Sequence, residues 1–309
     1  MLQLKKYVIL LEIKAEYYDI RVCINMRRAL VTGGTYDDVA PIATFVINIA
    51  KTNGHLFDEI VIFHNGIKEK DQELIKRVFP TRFINYSYNI KTRNDEVLSY
   101  FSSMVFCKYE CFGLLSEYDE VIWSDYDVVV KGDLGDFCKI EGEQINMLEC
   151  NSSIRSMFYK DYKSKEIDKY NLDIDGVNTP LFALSNRLNE YVMIKEWCYD
   201  KTNAWVDDLY LPEQCIFSLA IQEFGLDIKR FSFTNYACYP TESQGTEKII
   251  HAAGQPKFWN GIYDKDWDEN YSAWIEMGGT PYYEWKKKLK RKLLFVYTRL
   301  IGIRFREHG

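Results

Sequence analysis

Apolar positions between residues 28 and 124 switch repeatedly between strand-like and helix-like spacing. Ala29-Leu30-Val31 reads as a short buried strand. Thr32-Gly33-Gly34-Thr35-Tyr36-Asp37-Asp38 then reads as a loop that opens a helix, with Pro41 in its first turn and Ile42, Phe45, Val46 and Ile49 on its apolar face. The pattern goes on to predict a strand at 60–63, a helix at about 68–78, a strand at 82–86 and a long helix at about 96–116. A strand at 120–124 follows and runs through Asp125-Tyr126-Asp127 into Val128-Val129-Val130. Alternation of this kind implies an α/β fold with a Rossmann-like, mixed but mainly parallel central sheet.

Beyond residue 150 the pattern loosens, with a charged stretch at 160–169 and helices expected near 188–199 and 212–224. No internal repeat or Gly/Ser linker divides this part, so residues 26–284 are expected to form one domain. Met26 stands directly before the first strand, which makes residues 1–25 an N-terminal extension. Residues 285–309 form a tail of different character.

In that tail Leu289, Leu293, Val296, Leu300 and Ile303 repeat at helical spacing. Nine basic residues, Lys286, Lys287, Lys288, Lys290, Arg291, Lys292, Arg299, Arg304 and Arg306, stand among them, and from Trp285 to Arg306 there is no acid. A basic amphipathic helix over 285–306 suits an anionic membrane surface; docking on the acidic body is the alternative. The whole chain of 309 residues carries a net charge of −6, which argues against a nucleic-acid partner. Its eight cysteines include no CxxC pair, so they read as reduced thiols rather than a zinc or redox site. The apolar run 7–11 is interrupted by Glu12 and Lys14, too soon for a membrane span. The expected location is therefore cytoplasmic, with the tail offering peripheral attachment to the cytoplasmic membrane face.

The candidate chemistry begins with Asp125 and Asp127. In open α/β sheets ligands collect at the carboxyl ends of strands. Residues i and i+2 of an extended segment face one side, so these two acids can share a hard divalent cation whose shell is completed by phosphate oxygens. The second piece is Ile249-Ile250-His251-Ala252-Ala253-Gly254-Gln255-Pro256-Lys257-Phe258-Trp259. It offers one of only four histidines at a strand end, a glycine that permits close backbone approach, and a lysine that can meet phosphate.

Together these motifs, spread over about 28–259, resemble the family 8 retaining glycosyltransferases, the family of glycogenin and of bacterial lipopolysaccharide galactosyltransferases. The resemblance implies a GT-A type nucleotide-sugar-binding fold. It implies Mn²⁺ or Mg²⁺ held by Asp125, Asp127 and His251, and a UDP-sugar contacted by Thr32, Gly33, Tyr36, Asp37, Tyr126, Gly254 and Lys257. It assigns the sugar end of the site to Lys108, Asn178, Glu213 and Gln214, with Gln214 near the far face of the sugar and Glu213 holding hydroxyls or serving as a nucleophile. The implied reaction transfers a hexose, glucose or galactose, with retention, to a glycan or glycolipid acceptor in surface polysaccharide or lipopolysaccharide synthesis.

Four departures from the family pattern leave the metal motif untouched. Thr179-Pro180 stands where the family has a small residue and glycine, Phe258 replaces proline, and Glu213 replaces aspartate. Val39 falls where a base-stacking tyrosine is expected, and Tyr36 is the alternative stacker.

Three rival readings use the same residues. Val31-Thr32-Gly33-Gly34-Thr35 with Tyr159 and Lys163 mimics a short-chain dehydrogenase, but Tyr36, Asp37 and Asp38 would oppose a pyrophosphate. Asp125-Tyr126-Asp127-Val128 mimics a haloacid-dehalogenase-type phosphatase, although about a hundred residues of α/β pattern precede it. A non-catalytic sugar-binding protein on a decayed transferase fold is the third, suggested by Val39 and Pro180.

Overall fold

The computed structural model describes residues 26–90, 92 and 102–283. Seven strands form the central sheet: β1 (Arg28–Gly34), β2 (Glu59–His64), β3 (Thr81–Asn85), β4 (Glu120–Ser124), β6 (Ile145–Ser153), β7 (Asp175–Ser185) and β8 (Ile228–Phe231). Their order is β3-β2-β1-β4-β7-β6-β8. β3, β2, β1 and β4 run parallel, β7 is antiparallel to both β4 and β6, and β8 is parallel to β6. The sheet is thus mixed and mainly parallel, as the alternating pattern implied.

Both faces are covered, and strand alternation decides which side chain goes where. Leu30, Ile60, Ile62 and Ile122 pack on one side with α1 (Val39–Thr52). Ala29, Val31, Val61, Phe63, Val121 and Trp123 pack on the other with Phe106, Phe112 and Phe217. α1 is buried at every position from 39 to 49, because α8 (Lys265–Glu276) closes over its outer side.

The structure corrects four element boundaries. Thr32, Gly33 and Gly34 belong to β1 rather than to a loop, since the ladder with β2 continues through Gly33–Phe63 and Gly34–His64. A Cβ on Gly33 would collide with Cys107 Sγ, so its missing side chain serves packing beneath the strand. The long helix expected at 96–116 is, in its described part, a 3₁₀ segment (Ser103–Tyr109) leading into the short α3 (Glu110–Leu114). Within it Phe106, Cys107, Lys108 and Tyr109 are all buried. The helix expected near 188 begins at Tyr191 as α5 (Tyr191–Trp205), because Glu190 is held in the left-handed region at φ 60°.

The fourth correction concerns the strand expected to run unbroken from 120 to 130. It stops at Ser124, and β5 (Val128–Val130) leaves the main sheet to pair with β9 (Ile249–His251) in a separate antiparallel ribbon. Asn48 of α1 pins β5 by donating to Val130 O at 3.1 Å and accepting from Val130 N at 2.7 Å. The remaining elements are α2 (Glu69–Val78), α4 (Gly135–Cys138), α6 (Pro212–Phe224) and α7 (Phe233–Tyr236). α6 agrees with its expected span. Residues 1–25, on which the proposed N-terminal extension falls, and 284–309, which hold the basic tail, lie outside the described residues.

Candidate metal and sugar-nucleotide site

Asp125, Tyr126 and Asp127 form the crossing between the main sheet and the β5–β9 ribbon. Asp125 N donates to Pro180 O of β7 at 2.8 Å, and Asp127 O accepts from Ala252 N at 3.0 Å, so each side of the crossing is tied to a different ladder. The ribbon register sets Val128 opposite His251. Imidazole Nε2 consequently lies 3.2 Å from Asp127 Oδ1 and 3.9 Å from Asp125 Oδ2. One ligand atom from each of the three side chains falls within 4.8 Å of the other two. Two carboxylate oxygens and an imidazole nitrogen are a donor set suited to a divalent ion such as Mn²⁺ or Mg²⁺. The residues present fit the group.

Lys257 follows Gly254, whose φ of 74° turns the loop, and its backbone N donates to Asn260 Oδ1 at 2.6 Å. Its ammonium donates to Asp127 Oδ2 and to Ala252 O. For Asp127, burial alone would raise the carboxyl, but His251 and Lys257 outweigh it and hold it well below the usual carboxylate range. Asp125 goes the other way. Burial raises it, Lys108 and His251 oppose the rise, and the like charge of Asp127 adds to it.

Beside the acids lies a buried polar cluster. Lys108 is 4% exposed, and its Nζ lies 3.2 Å from Asp125 Oδ1, 3.2 Å from Glu213 Oε1 and 3.4 Å from Thr179 Oγ1. Burial would lower this ammonium, yet the two carboxylates raise it above the ordinary lysine range. Glu213 sits in the first turn of α6 behind Pro212, and its Oε1 also accepts from Thr179 Oγ1 at 3.2 Å. Thr179 and Pro180, which depart from the family pattern, thus have places here: one holds Glu213, the other holds Asp125. Asn178 Nδ2 donates to Glu149 O at 2.8 Å, and Gln214 Nε2 contacts Cys150 Sγ at 3.7 Å, so both lie beside the middle of β6.

The residues assigned to the nucleotide divide into exposed and enclosed groups. Tyr36, 43% exposed, lies in a 3₁₀ turn with Asp37 and Asp38 after β1, its N donating to Asn65 Oδ1 at 3.0 Å. Val39, the other candidate stacking position, is buried at the start of α1. Thr32 is fully buried, with Oγ1 lacking a hydrogen-bond partner among the described residues, and Gly33 packs on Cys107. Tyr126 stacks on Trp259 at 6.0 Å, and its hydroxyl is raised well above the usual tyrosine range by burial and by Asp38.

No motif in the sequence singles out Trp123. Trp123 Nε1 donates to Asp125 Oδ1 at 2.8 Å. Its position two residues before Asp125 was the available signal, because alternation sends both to one face of the strand.

A seven-stranded mixed α/β sheet with two acids and an imidazole at its carboxyl edge defines a GT-A type glycosyltransferase. A family model described as Glycosyl transferase family 8 matches residues 8–262, and the chain belongs to that family. Among solved structures, the apo WbbM bifunctional glycosyltransferase aligns at TM-score 0.60 and 15% identity, covering 82% of this chain and 51% of that one. The galactosyltransferase LgtC in complex with donor and acceptor sugar analogs aligns at 0.57 and 11%, covering 81% and 99%. The glycosyltransferase GlyE of Streptococcus pneumoniae TIGR4 aligns at 0.52 and 18%, covering 82% and 64%. The chain therefore spans about half of the WbbM chain and somewhat under two thirds of GlyE. At these identities the likeness is one of fold. No curated protein matches the chain.

Family membership implies a nucleotide-sugar donor and a glycan acceptor. It also removes the dehydrogenase and phosphatase readings. The glycine segment of the first is strand β1, and Tyr159 instead donates its N to Asp208 O at 2.9 Å and packs against Tyr210.

Proposed function

We propose that the chain transfers a hexose, glucose or galactose, from a UDP-sugar to a glycan or glycolipid acceptor, with retention of anomeric configuration and dependence on a divalent cation. The observation that supports this most is the convergence of Asp125, Asp127 and His251 within 4.8 Å beside Lys257. When bound, Mn²⁺ or Mg²⁺ supplies Lewis-acid stabilisation of the negative charge that builds on the diphosphate. Lys257 adds a fixed cation on the same side, exchanging its contact with Asp127 for phosphate oxygens.

Transfer then needs no protein acid for the leaving group. On one face of the sugar, the bond from the acceptor oxygen to the anomeric carbon forms as the bond to phosphate breaks, and the acceptor's hydroxyl proton passes to the departing phosphate oxygen. Lys108, Asn178 and Glu213 supply donors and acceptors for sugar hydroxyls, with Gln214 near the opposite face. Glu213 Oε1 is engaged by both Lys108 and Thr179, which favours the hydroxyl-holding role over nucleophilic attack. Tyr36 and Asp37 are assigned to the nucleoside, Gly254 to the diphosphate.

The acceptor belongs, in this reading, to surface polysaccharide or lipopolysaccharide synthesis, with the chain in the cytoplasm and peripheral on the membrane through 285–306. Among the described residues no helix is long and apolar enough to cross a membrane. The test is a donor panel: purified protein, Mn²⁺ and UDP-, GDP- and ADP-hexoses, read by product mass. Metal-dependent turnover of a UDP-hexose is expected. Turnover of another nucleotide's sugar alone, or equal turnover in EDTA, overturns the corresponding part.

A further inference from the structure

Asp125 has two carboxylate oxygens with different surroundings. Oδ1 accepts from Trp123 Nε1 at 2.8 Å and lies 3.2 Å from Lys108 Nζ. Oδ2 is the oxygen nearer His251, at 3.9 Å. One oxygen is therefore engaged from behind the strand, and the other is turned toward the ligand cluster. The group behind it is rigid. Trp123 is 2% exposed, and its indole stacks on Phe182 at 6.2 Å and 10° between ring planes. Lys108 Nζ stands 5.6 Å from the indole centroid. An indole has one donor, and its single N–H is spent on this carboxylate.

We propose that Trp123 is a positioning residue for the metal: by occupying Oδ1 it fixes the carboxylate rotation that presents Asp125 Oδ2 to the cation. The inference rests on the metal-dependent reading above and extends it to a residue that touches neither cation nor substrate. A freely rotating carboxylate would lose side-chain entropy on capturing the ion and would have Lys108 as its only remaining partner on that oxygen. Partners of this kind typically change metal affinity by roughly 10–100-fold when removed. Lys108 shares the same oxygen and also holds Glu213, so the pair links the metal ligand to the sugar-contacting acid through one buried ammonium.

The experiment measures Mn²⁺ affinity by electron paramagnetic resonance on the full chain without nucleotide, together with thermal stability. Trp123→Phe keeps a ring against Phe182 and removes only the donor; Phe182→Leu loosens the stack and leaves the donor. The expected result is roughly 10–100-fold weaker Mn²⁺ binding in Trp123→Phe, with Phe182→Leu within about twofold of wild type. Wild-type-like Mn²⁺ affinity in Trp123→Phe overturns the proposal, as does equal weakening in both variants, which would make packing the cause. If Trp123→Phe does not fold, 3-benzothienylalanine at position 123 replaces N–H by sulfur at nearly constant shape and answers to the same two outcomes. The same titrations are repeated with UDP present; wild-type protein that binds no Mn²⁺ either alone or with UDP defeats the metal reading itself, and is thereby distinguished from failure of the positioning role.

Discussion

His251 Nε2 lies 3.2 Å from Asp127 Oδ1 because the β5–β9 ribbon sets Val128 and His251 directly opposite each other. Cross-strand partners in an antiparallel pair lie about 5 Å apart at Cβ. One residue before Val128, Asp127 is then within reach of the ring. The ribbon is itself held to α1 through Asn48 and Val130, so the ligand set inherits the rigidity of the core.

Asp127→Asn and His251→Ala each delete one member of that set. Both should lower metal-dependent transfer by on the order of 100-fold or more. Mn²⁺ titration and product mass check this, and wild-type-like turnover in either variant removes the metal assignment.

Lys108 neutralises two acids from a fully buried position, with side-chain exposures of 5% for the lysine and 9% for Glu213. Lys108→Met would leave Asp125 and Glu213 close to one another with no cation between them. Breaking a buried pair in this way costs about 3–5 kcal/mol. Urea unfolding should register that loss, and a cost under about 1 kcal/mol would show that solvent reaches the cluster.

Gly33 separates packing from ligand contact. Gly33→Ala places a methyl against Cys107 Sγ, an overpacking expected to cost about 1–3 kcal/mol. Adding Cys107→Ala removes the obstructing sulfur and should recover part of the stability. No recovery in the double variant would trace the cost to something other than Cys107.

Glu247 gathers the loop before β9, accepting from Gln244 N, Gly245 N, Thr246 N and Ser243 Oγ at 2.6–3.1 Å. These backbone donors pull its carboxyl down to about 2 from the usual 4.5. A depressed folded-state pKa stabilises above the unfolded value and is lost as pH falls through the folded one. The stability gap between wild type and Glu247→Gln should therefore be full above about pH 4.5 and close as pH approaches 2. Thermal unfolding of both proteins across that window measures it, and a gap independent of pH would assign the effect to shape instead of charge.

The basic segment 285–306 carries its prediction in sequence alone. Deleting residues 285–309 should abolish co-sedimentation with anionic vesicles and leave turnover on soluble substrates intact. Undiminished sedimentation of the shortened chain would end the membrane role.

Much of the frame could be read from residue order. The periods that place β1, α1, β2, α2, β3 and β4 are local, since burial of one strand face or helix stripe repeats every two or 3.6 residues. The family motif at Asp125, Asp127, His251 and Lys257 was legible for a related reason: it depends on residue types at short spacings, and its two halves announce themselves separately. What neighbours along the chain do not encode is which distant backbone supplies a missing partner. Thus the break after Ser124 was invisible, because β5 leaves the main sheet only when β9 offers it a ladder. The short 3₁₀ run at 103–109 was equally hidden, since consecutive buried side chains occur in an enclosed α-helix such as α1 as well as in a 3₁₀ turn. The tie of Lys108 to Asp125 and Glu213, and of Thr179 to Glu213, likewise required distant elements to meet. Residue types and periodicity determined the fold class and the candidate ligand residues; that Asp125, Asp127 and His251 converge was decided by the pairing of β5 with β9, a ladder that exists only once the chain has closed on itself.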